Sequence, residues 1–172
     1  KDFKGAIEDY SKAIELDTKD PFPFNNRGYA KYNLKDFKGA IEDYSKAIEL
    51  DTKDPFPFNN RGYAKYNLKD FKGAIEDYSK AIELDTFYAS AFNNRGLSLL
   101  NIEQYKSSFK DFDRAIELDP EDPIPFYNRG LAKVILKQYE DALSDINKAI
   151  TLDEDPDGKY YDLRGQAEYS LG

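Results

Sequence analysis

Cysteine, histidine, tryptophan and methionine are all absent from the 172 residues. Without cysteine there is no disulfide, no thiolate metal site and no thiol nucleophile. Without histidine the chain lacks the commonest metal ligand and the usual general base near neutral pH. No apolar run approaches the roughly 18 residues that a membrane helix needs, so no membrane insertion is expected. Basic residues are also short: 25 against 33 acids leave a net charge of −8. The deficit is concentrated in residues 119–172, which hold twelve acids and six bases. An acidic surface repels phosphate backbones, so nucleic acid is not expected as a partner. No nucleophile–base pair, phosphate loop or convergent carboxylate dyad emerges. The expectation is a protein with no catalytic residues, no metal and no cofactor.

Hydrophobic residues, at 40%, are too many for a disordered chain. The chain starts at Lys1 without a Met, and its native start is expected to be missing. A cytoplasmic place is the expectation for the compartment, though no residue fixes it.

What the chain has instead is repetition. Shifted by 34 residues, residues 1–52 match residues 35–86 at every position. Beyond Thr86 the period persists while the residues diverge: FNNRG at 92–96 becomes FYNRG at 126–130 and YDLRG at 161–165. The last step is 35 residues, which places one inserted residue near Asp155–Gly158. Periods of this length mark helical solenoids and other repeat folds.

Each unit holds two helical patterns. Phe37, Ala40, Ile41, Tyr44, Ala47 and Ile48 recur at spacings of three and four, one face of an amphipathic helix. Glu42 and Lys46 on the opposite face are spaced to pair at i,i+4. The other helix is expected to start with Asp54 as N-cap and Pro55 in the first turn, and to run to about Asn67. Full repeats are read at 21–52, 55–86, 89–120 and 123–154. A lone second helix precedes them at 1–18, and a lone first helix follows at 157–172.

Gly28, Gly62, Gly96, Gly130 and Gly165 recur inside the first helices. A mid-helix glycine costs about 1 kcal/mol relative to alanine, so a close helix crossing is expected there. Ala6, Ala40, Ala74, Ser108 and Ala142 are the small residues expected to face them.

A 34-residue helix–turn–helix unit with this pattern resembles the tetratricopeptide repeat family. Phe58 stands where the family usually has Trp, Gly62 matches its Gly, Ala74 and Ala81 its alanines, and Tyr78 its aromatic. Pro120 matches the closing Pro. Arg61 and Lys65 depart from the family's common Leu and Tyr. The resemblance implies an all-α, right-handed superhelical solenoid of antiparallel helix pairs. It also implies a protein or peptide ligand held on a concave surface lined by first helices.

In the family, asparagines on that surface can hold a peptide backbone. Asn26, Asn60, Asn94 and Asn128 recur here at that spacing, and an amide offers both donor and acceptor. The alternative is that they bond within the solenoid. Further groove candidates are Phe22, Asn25 and Tyr29 with their copies Phe56, Asn59 and Tyr63, together with Asn33 and Asn67. Later units offer Leu97, Leu100, Leu131, Val134 and Ile135. Most of these aliphatics are expected to pack between helices. Ile135 is the exception, because its equivalents are Asn33, Asn67 and Asn101. The clamp of basic residues used for chaperone tails is not matched, since the corresponding places hold Phe56, Asn59, Asn60 and Tyr63.

Arg27, Arg61, Arg95, Arg129 and Arg164 form one row, and Asp9, Asp43, Asp77, Asp111 and Asp145 another. A structural ion pair at each junction is expected. Asp153–Gly158 resembles the first half of a calcium loop, but Arg164 stands where the bidentate Glu is needed. A solvated acidic turn is the better reading.

Two functions stay open. One is a scaffold that binds a partner's peptide or helix in the groove. The other is an assembly module stacking head-to-tail through its end helices. Solenoid ends normally carry polar caps. Neither end does here, so a fragment of a longer solenoid is expected, with stacking as the alternative.

Overall fold

The computed structural model describes residues 2–172. Ten helices and no strands are found among them. The first five are α1 (Phe3–Leu16), α2 (Pro21–Asn33), α3 (Phe37–Leu50), α4 (Pro55–Asn67) and α5 (Phe71–Leu84). Then follow α6 (Ala89–Asn101), α7 (Tyr105–Leu118), α8 (Pro123–Ile135), α9 (Tyr139–Leu152) and α10 (Gly158–Leu171). The chain divides into two compact units, Lys1–Thr86 and Phe87–Gly172.

Local chemistry sets the helix starts. Asp54 caps α4 by accepting a hydrogen bond from the Phe56 amide at 2.9 Å, with Pro55 in the first turn where no internal donor is needed. Asp20 and Asp122 do the same for α2 and α8. Asp36 and Asp70 cap α3 and α5 through the amides of Gly39 and Gly73, both at 3.0 Å. Asp157 caps α10 through Lys159 at 2.9 Å, and Asp153 Oδ1 accepts from the Asp155 amide at 3.1 Å. Two carboxylates of the calcium-like stretch are thus engaged in turn and cap.

The turn from first to second helix uses a left-handed residue that is never glycine: Lys35, Lys69, Glu103 and Lys137, with φ of 60–64°. Strain of roughly 1–2 kcal/mol at each is tolerated because the following amide closes back on the helix, as Asp70 N does on Lys65 O at 3.0 Å.

In the first unit α2 packs on α1 and α3, and α4 on α3 and α5. Ala40, Tyr44, Ala47, Ala74, Tyr78 and Ala81 are buried there. In the second unit Leu100, Phe112 and Ala132 form one cluster, and Ala142, Ile146, Leu163 and Ala167 another.

Gly28, Gly62, Gly96 and Gly130 do mark close crossings, whereas Gly165 has nothing within 4 Å of its Cβ position, and the partner differs from the expected one. A Cβ on Gly62 would lie 2.8 Å from the Tyr78 ring, and one on Gly28 2.8 Å from Tyr44. Phe112 and Ile146 stand equally close to Gly96 and Gly130, at 2.8 and 2.9 Å. The glycines make room for a large side chain of the next helix, four residues beyond the small-residue row. Lys46 also pairs differently: its ammonium meets Glu49 at 2.9 Å rather than Glu42, since i,i+3 neighbours also share a helix face.

Candidate functional site

The arginine and aspartate rows meet. Arg61 Nε donates to Asp77 Oδ2 at 2.9 Å and its Nη2 to Asp77 Oδ1 at 2.7 Å, a bidentate pair. Lys65 reaches the same carboxylate at 2.8 Å. Arg27 and Lys31 hold Asp43 in the same way, and Arg129 and Lys133 hold Asp145. Arg95 and Asp111 form the bidentate pair without a lysine, because Leu99 stands at that place. The aspartates are buried. Hydrogen bonding to Asp43 raises the pKa of Arg27, and bonding to Asp145 raises that of Arg129.

The guanidinium groups of Arg27, Arg61 and Arg129 also reach backward. Arg27 Nη1 donates to Ser11 Oγ and Arg61 Nη1 to Ser45 Oγ, both at 3.1 Å. Arg129 Nη1 meets Asp113 at 2.7 Å. Phe24, Phe58 and Phe126 lie beneath their arginines at 5.7, 5.8 and 5.7 Å, within cation–π range. One side chain therefore touches three successive helices.

With these cations engaged, the other face of α2 and α4 is aromatic and amide-rich. Phe22 is 66% exposed, and Tyr29, Phe56 and Tyr63 are also exposed. Asn26, Asn33 and Asn67 are exposed beside them. Tyr32 stacks on Tyr63 with ring centroids 5.2 Å apart, and its hydroxyl accepts from Asn67 Nδ2 at 3.0 Å. Burial and the neighbouring Tyr63 hydroxyl raise the pKa of Tyr32, which keeps the ring neutral.

The asparagine row divides. Asn26 is exposed. Asn60 is partly buried and donates to Asn25 Oδ1 at 3.1 Å. Asn94 accepts from Asn93 at 3.4 Å. Asn128 is buried and donates to Asn93 Oδ1 at 2.9 Å. Asn59 is also buried. Asn60 and Asn128 thus cross-link neighbouring first helices and leave less of their amides for a ligand than Asn26 does.

The aliphatic candidates divide as well. Leu100 is buried, Leu97 packs beside it, and Leu131 and Val134 pack against the Ala142 cluster. Ile135 is 50% exposed. The sequence reading missed Lys31, Lys65 and Lys133 as second partners of the aspartates. Their placement four residues after each arginine, on the same helix face, was the available signal.

Family models for the tetratricopeptide repeat match residues 1–35, 28–69, 56–86, 89–122 and 125–156. The chain belongs to the tetratricopeptide repeat family. No curated protein sequence matches it. Among solved structures, the MamA protein superimposes with a TM-score of 0.79 at 25% identity, covering 89% of this chain and 90% of MamA. YrrB, described as a TPR protein with an unusual peptide-binding site, gives 0.76 at 24% identity over 97% of this chain and 84% of its own. The first TPR domain of Spaghetti (RPAP3), bound to the HSP90 peptide SRMEEVD, gives 0.67 at 24% over 70% and 95%. The fold is a solenoid of helix pairs, and no helix is long and apolar enough to cross a membrane among the described residues.

Proposed function

We propose that this chain is a protein-interaction scaffold that holds a peptide segment of a partner against the exposed face of its first helices. One observation carries the reading: α2 and α4 engage all four of their cations with Asp43 and Asp77, yet leave Phe22, Tyr29, Phe56 and Tyr63 exposed. Aromatic side chains left in water cost hydration free energy that docking recovers. Peptide binding by YrrB and by the Spaghetti domain, two proteins of this fold, supports the reading. Within the first unit, Asn26 and Tyr29 contact the ligand backbone and Phe22, Phe56 and Tyr63 its side chains; the second unit, taken by itself, offers Ile135 on α8 as an exposed apolar contact. In the first unit Asn60 contributes the part of its amide left by its bond to Asn25, while Asn25 and Asn59 support that face from below; in the second unit Asn94 and the buried Asn128 take the corresponding roles.

Head-to-tail stacking has two observations for it and one against. Gly165 on α10 has nothing within 4 Å of its Cβ position, unlike Gly28, Gly62, Gly96 and Gly130. An α1 from a second copy seated there would bring Asp9 toward Arg164, the counterpart of Arg27, Arg61 and Arg129, but also toward Glu168, which stands where Lys31, Lys65 and Lys133 hold their aspartates. The like charge of Glu168 makes that joint weaker than the internal ones in which a lysine takes its place.

The test is a paired pull-down from source lysate read by mass spectrometry. One bait is the chain, and the other carries Phe22→Ala, Asn26→Ala and Tyr29→Ala, with circular dichroism confirming its helix content. A partner captured by the first and lost from the second is the expected result. Identical captures from both baits would remove the face from the argument.

A further inference from the structure

We infer that a second copy of this chain seats its α1 on the open side of α10, so that copies join end to end through an Asp9–Arg164 ion pair. The joint uses residues outside the α2–α4 face and goes beyond the scaffold reading.

The first ground is a comparison that the chain makes with itself. Helices α1, α3 and α5 share the sequence FKGAIEDYSKAIEL. The last two are each covered by the helix before them: Tyr44 of α3 lies over Gly28 of α2, and Tyr78 of α5 over Gly62 of α4. Tyr44 and Tyr78 are buried there, whereas Tyr10 of α1 is only partly buried. The side chains of Asp43 and Asp77 are 6% and 5% exposed, and that of Asp9 is 80% exposed. Since the three sequences are the same, the difference lies in the neighbour. The side of α1 that carries Asp9 and Tyr10 is the side that this sequence elsewhere places against an Arg-Gly pair.

The second ground is α10, which offers that pair uncovered. Its Tyr160, Leu163 and Ala167 are buried, but Tyr161 and Tyr169 are exposed. Their repeat counterparts in α4 are covered, Phe58 fully and Tyr66 partly. A Cβ on Gly165 meets nothing within 4 Å, where one on Gly62 meets the Tyr78 ring at 2.8 Å. Arg164 is already positioned. Its guanidinium lies 5.2 Å from the Tyr161 ring, and Nη1 donates to Asn147 Oδ1 at 3.3 Å. Arg61 makes the same two contacts, with Phe58 and with Ser45 Oγ. What Arg61 has in addition is the Asp77 carboxylate ahead of it. Among the described residues the ionic partner of Arg164 is Glu168 of its own helix at 3.9 Å, beyond hydrogen-bond range.

Charge and shape together name the occupant. An unfilled guanidinium fork on α10 and an uncovered carboxylate on α1 are complementary, and every copy carries both. Seated as α5 is seated on α4, an incoming α1 brings Asp9 to Arg164 Nε and Nη2 in the bidentate geometry. Tyr10 fills the space over Gly165, and Phe3 meets Tyr169 as Phe71 meets Tyr66 at 5.3 Å. These rings leave water as they dock, which favours association. Glu168 is a mismatch, since it stands at the place of Lys65. The lysine is dispensable, because Arg95 and Asp111 form the bidentate pair with Leu99 at that place. The like charge weakens the joint and gives a way to strengthen it.

Multi-angle light scattering of the full chain over a concentration series tests this. The mass should rise above that of the monomer, because a joint between two different surfaces leaves each of them free for a further copy. Glu168→Lys should tighten association at least about tenfold by replacing a like charge beside Asp9 with an opposite one. Asp9→Asn and Gly165→Leu should each leave mostly monomer at a concentration where the parent is mostly assembled. Their equimolar mixture should stop at a dimer, since one variant keeps a sound α10 and the other a sound α1. Asp9, Gly165 and Glu168 are all exposed, so the three variants should keep the fold, and circular dichroism checks it. A constant monomer mass up to about 1 mM, for the parent and Glu168→Lys alike, would overturn the proposal. Association that survives both Asp9→Asn and Gly165→Leu would overturn it too, by placing the contact on another surface.

Discussion

Helices α1 and α5 have the same sequence, FKGAIEDYSKAIEL, so replacing one aspartate in each isolates the tertiary environment from helix propensity. Asp77 in α5 has a side chain 5% exposed and holds Arg61 at 2.7 Å and Lys65 at 2.8 Å. Asp9 in α1 is 80% exposed, with Lys12 at 3.6 Å as its ionic partner among the described residues. At an effective dielectric of 20, each contact to Asp77 has a gross attraction of about 6 kcal/mol. Desolvation offsets most of it, and loss of one partner from a buried pair typically costs about 3–5 kcal/mol. Both cations keep access to water, so Asp77→Asn should fall at the low end, about 3 kcal/mol. Asp9→Asn should stay within about 0.5 kcal/mol of the parent, as surface changes do. Urea unfolding followed at 222 nm reads the difference. With a slope of about 2 kcal/mol per molar, the Asp77→Asn midpoint should drop by about 1.5 M. Equal midpoints for the two variants would refute the buried-clamp reasoning, as would an unshifted Asp77→Asn.

Three further outcomes are expected. Among the described residues the Tyr78 hydroxyl and Ser108 Oγ are buried without a hydrogen-bond partner, and the equivalent places hold Phe112 and Ala142. Tyr78→Phe and Ser108→Ala should therefore each raise stability by about 1 kcal/mol, and a lower urea midpoint for either would contradict this. Gly62→Ala should destabilise by about 1–2 kcal/mol, since overpacking against Tyr78 outweighs the gain in helix propensity, whereas Gly165→Ala should stabilise by up to about 1 kcal/mol because its Cβ meets nothing; thermal melts of the pair check the opposite signs. Burial raises the pKa of Tyr44 and Tyr78, so stability should hold below about pH 10, where the unfolded tyrosines begin to ionise, and fall above it by about 1.4 kcal/mol per pH unit per buried ring. Tyr78→Phe should flatten that alkaline loss, and an unchanged slope would show that Tyr78 ionises freely.

The helices and their glycine crossings were legible because burial at spacings of three and four, Asp–Pro caps and a 34-residue period all point the same way. The ionic clamp was half legible. Two rows of opposite sign announced Arg61 and Asp77. Lys65 looked like a mere departure from the family pattern, although it and Arg61 converge on one carboxylate. The asparagines were harder. Their bonds join residues 35 apart, Asn60 to Asn25 and Asn128 to Asn93, one step out of register with the repeat. Adjacent amides such as Asn25 and Asn26 are chemically identical, and only helix rotation decides which faces solvent.

The arginine clamps also make copy number a free variable. Removing residues 35–68 joins Leu34 to Lys69 and leaves Arg27 facing Ser11 behind and Asp77 ahead, in the same sequence surroundings that now hold Ser11 and Asp43. Adding a copy restores one more such joint. Unequal recombination within this stretch can lengthen or shorten the protein without breaking an ionic contact, so the array can grow while every joint keeps its chemistry.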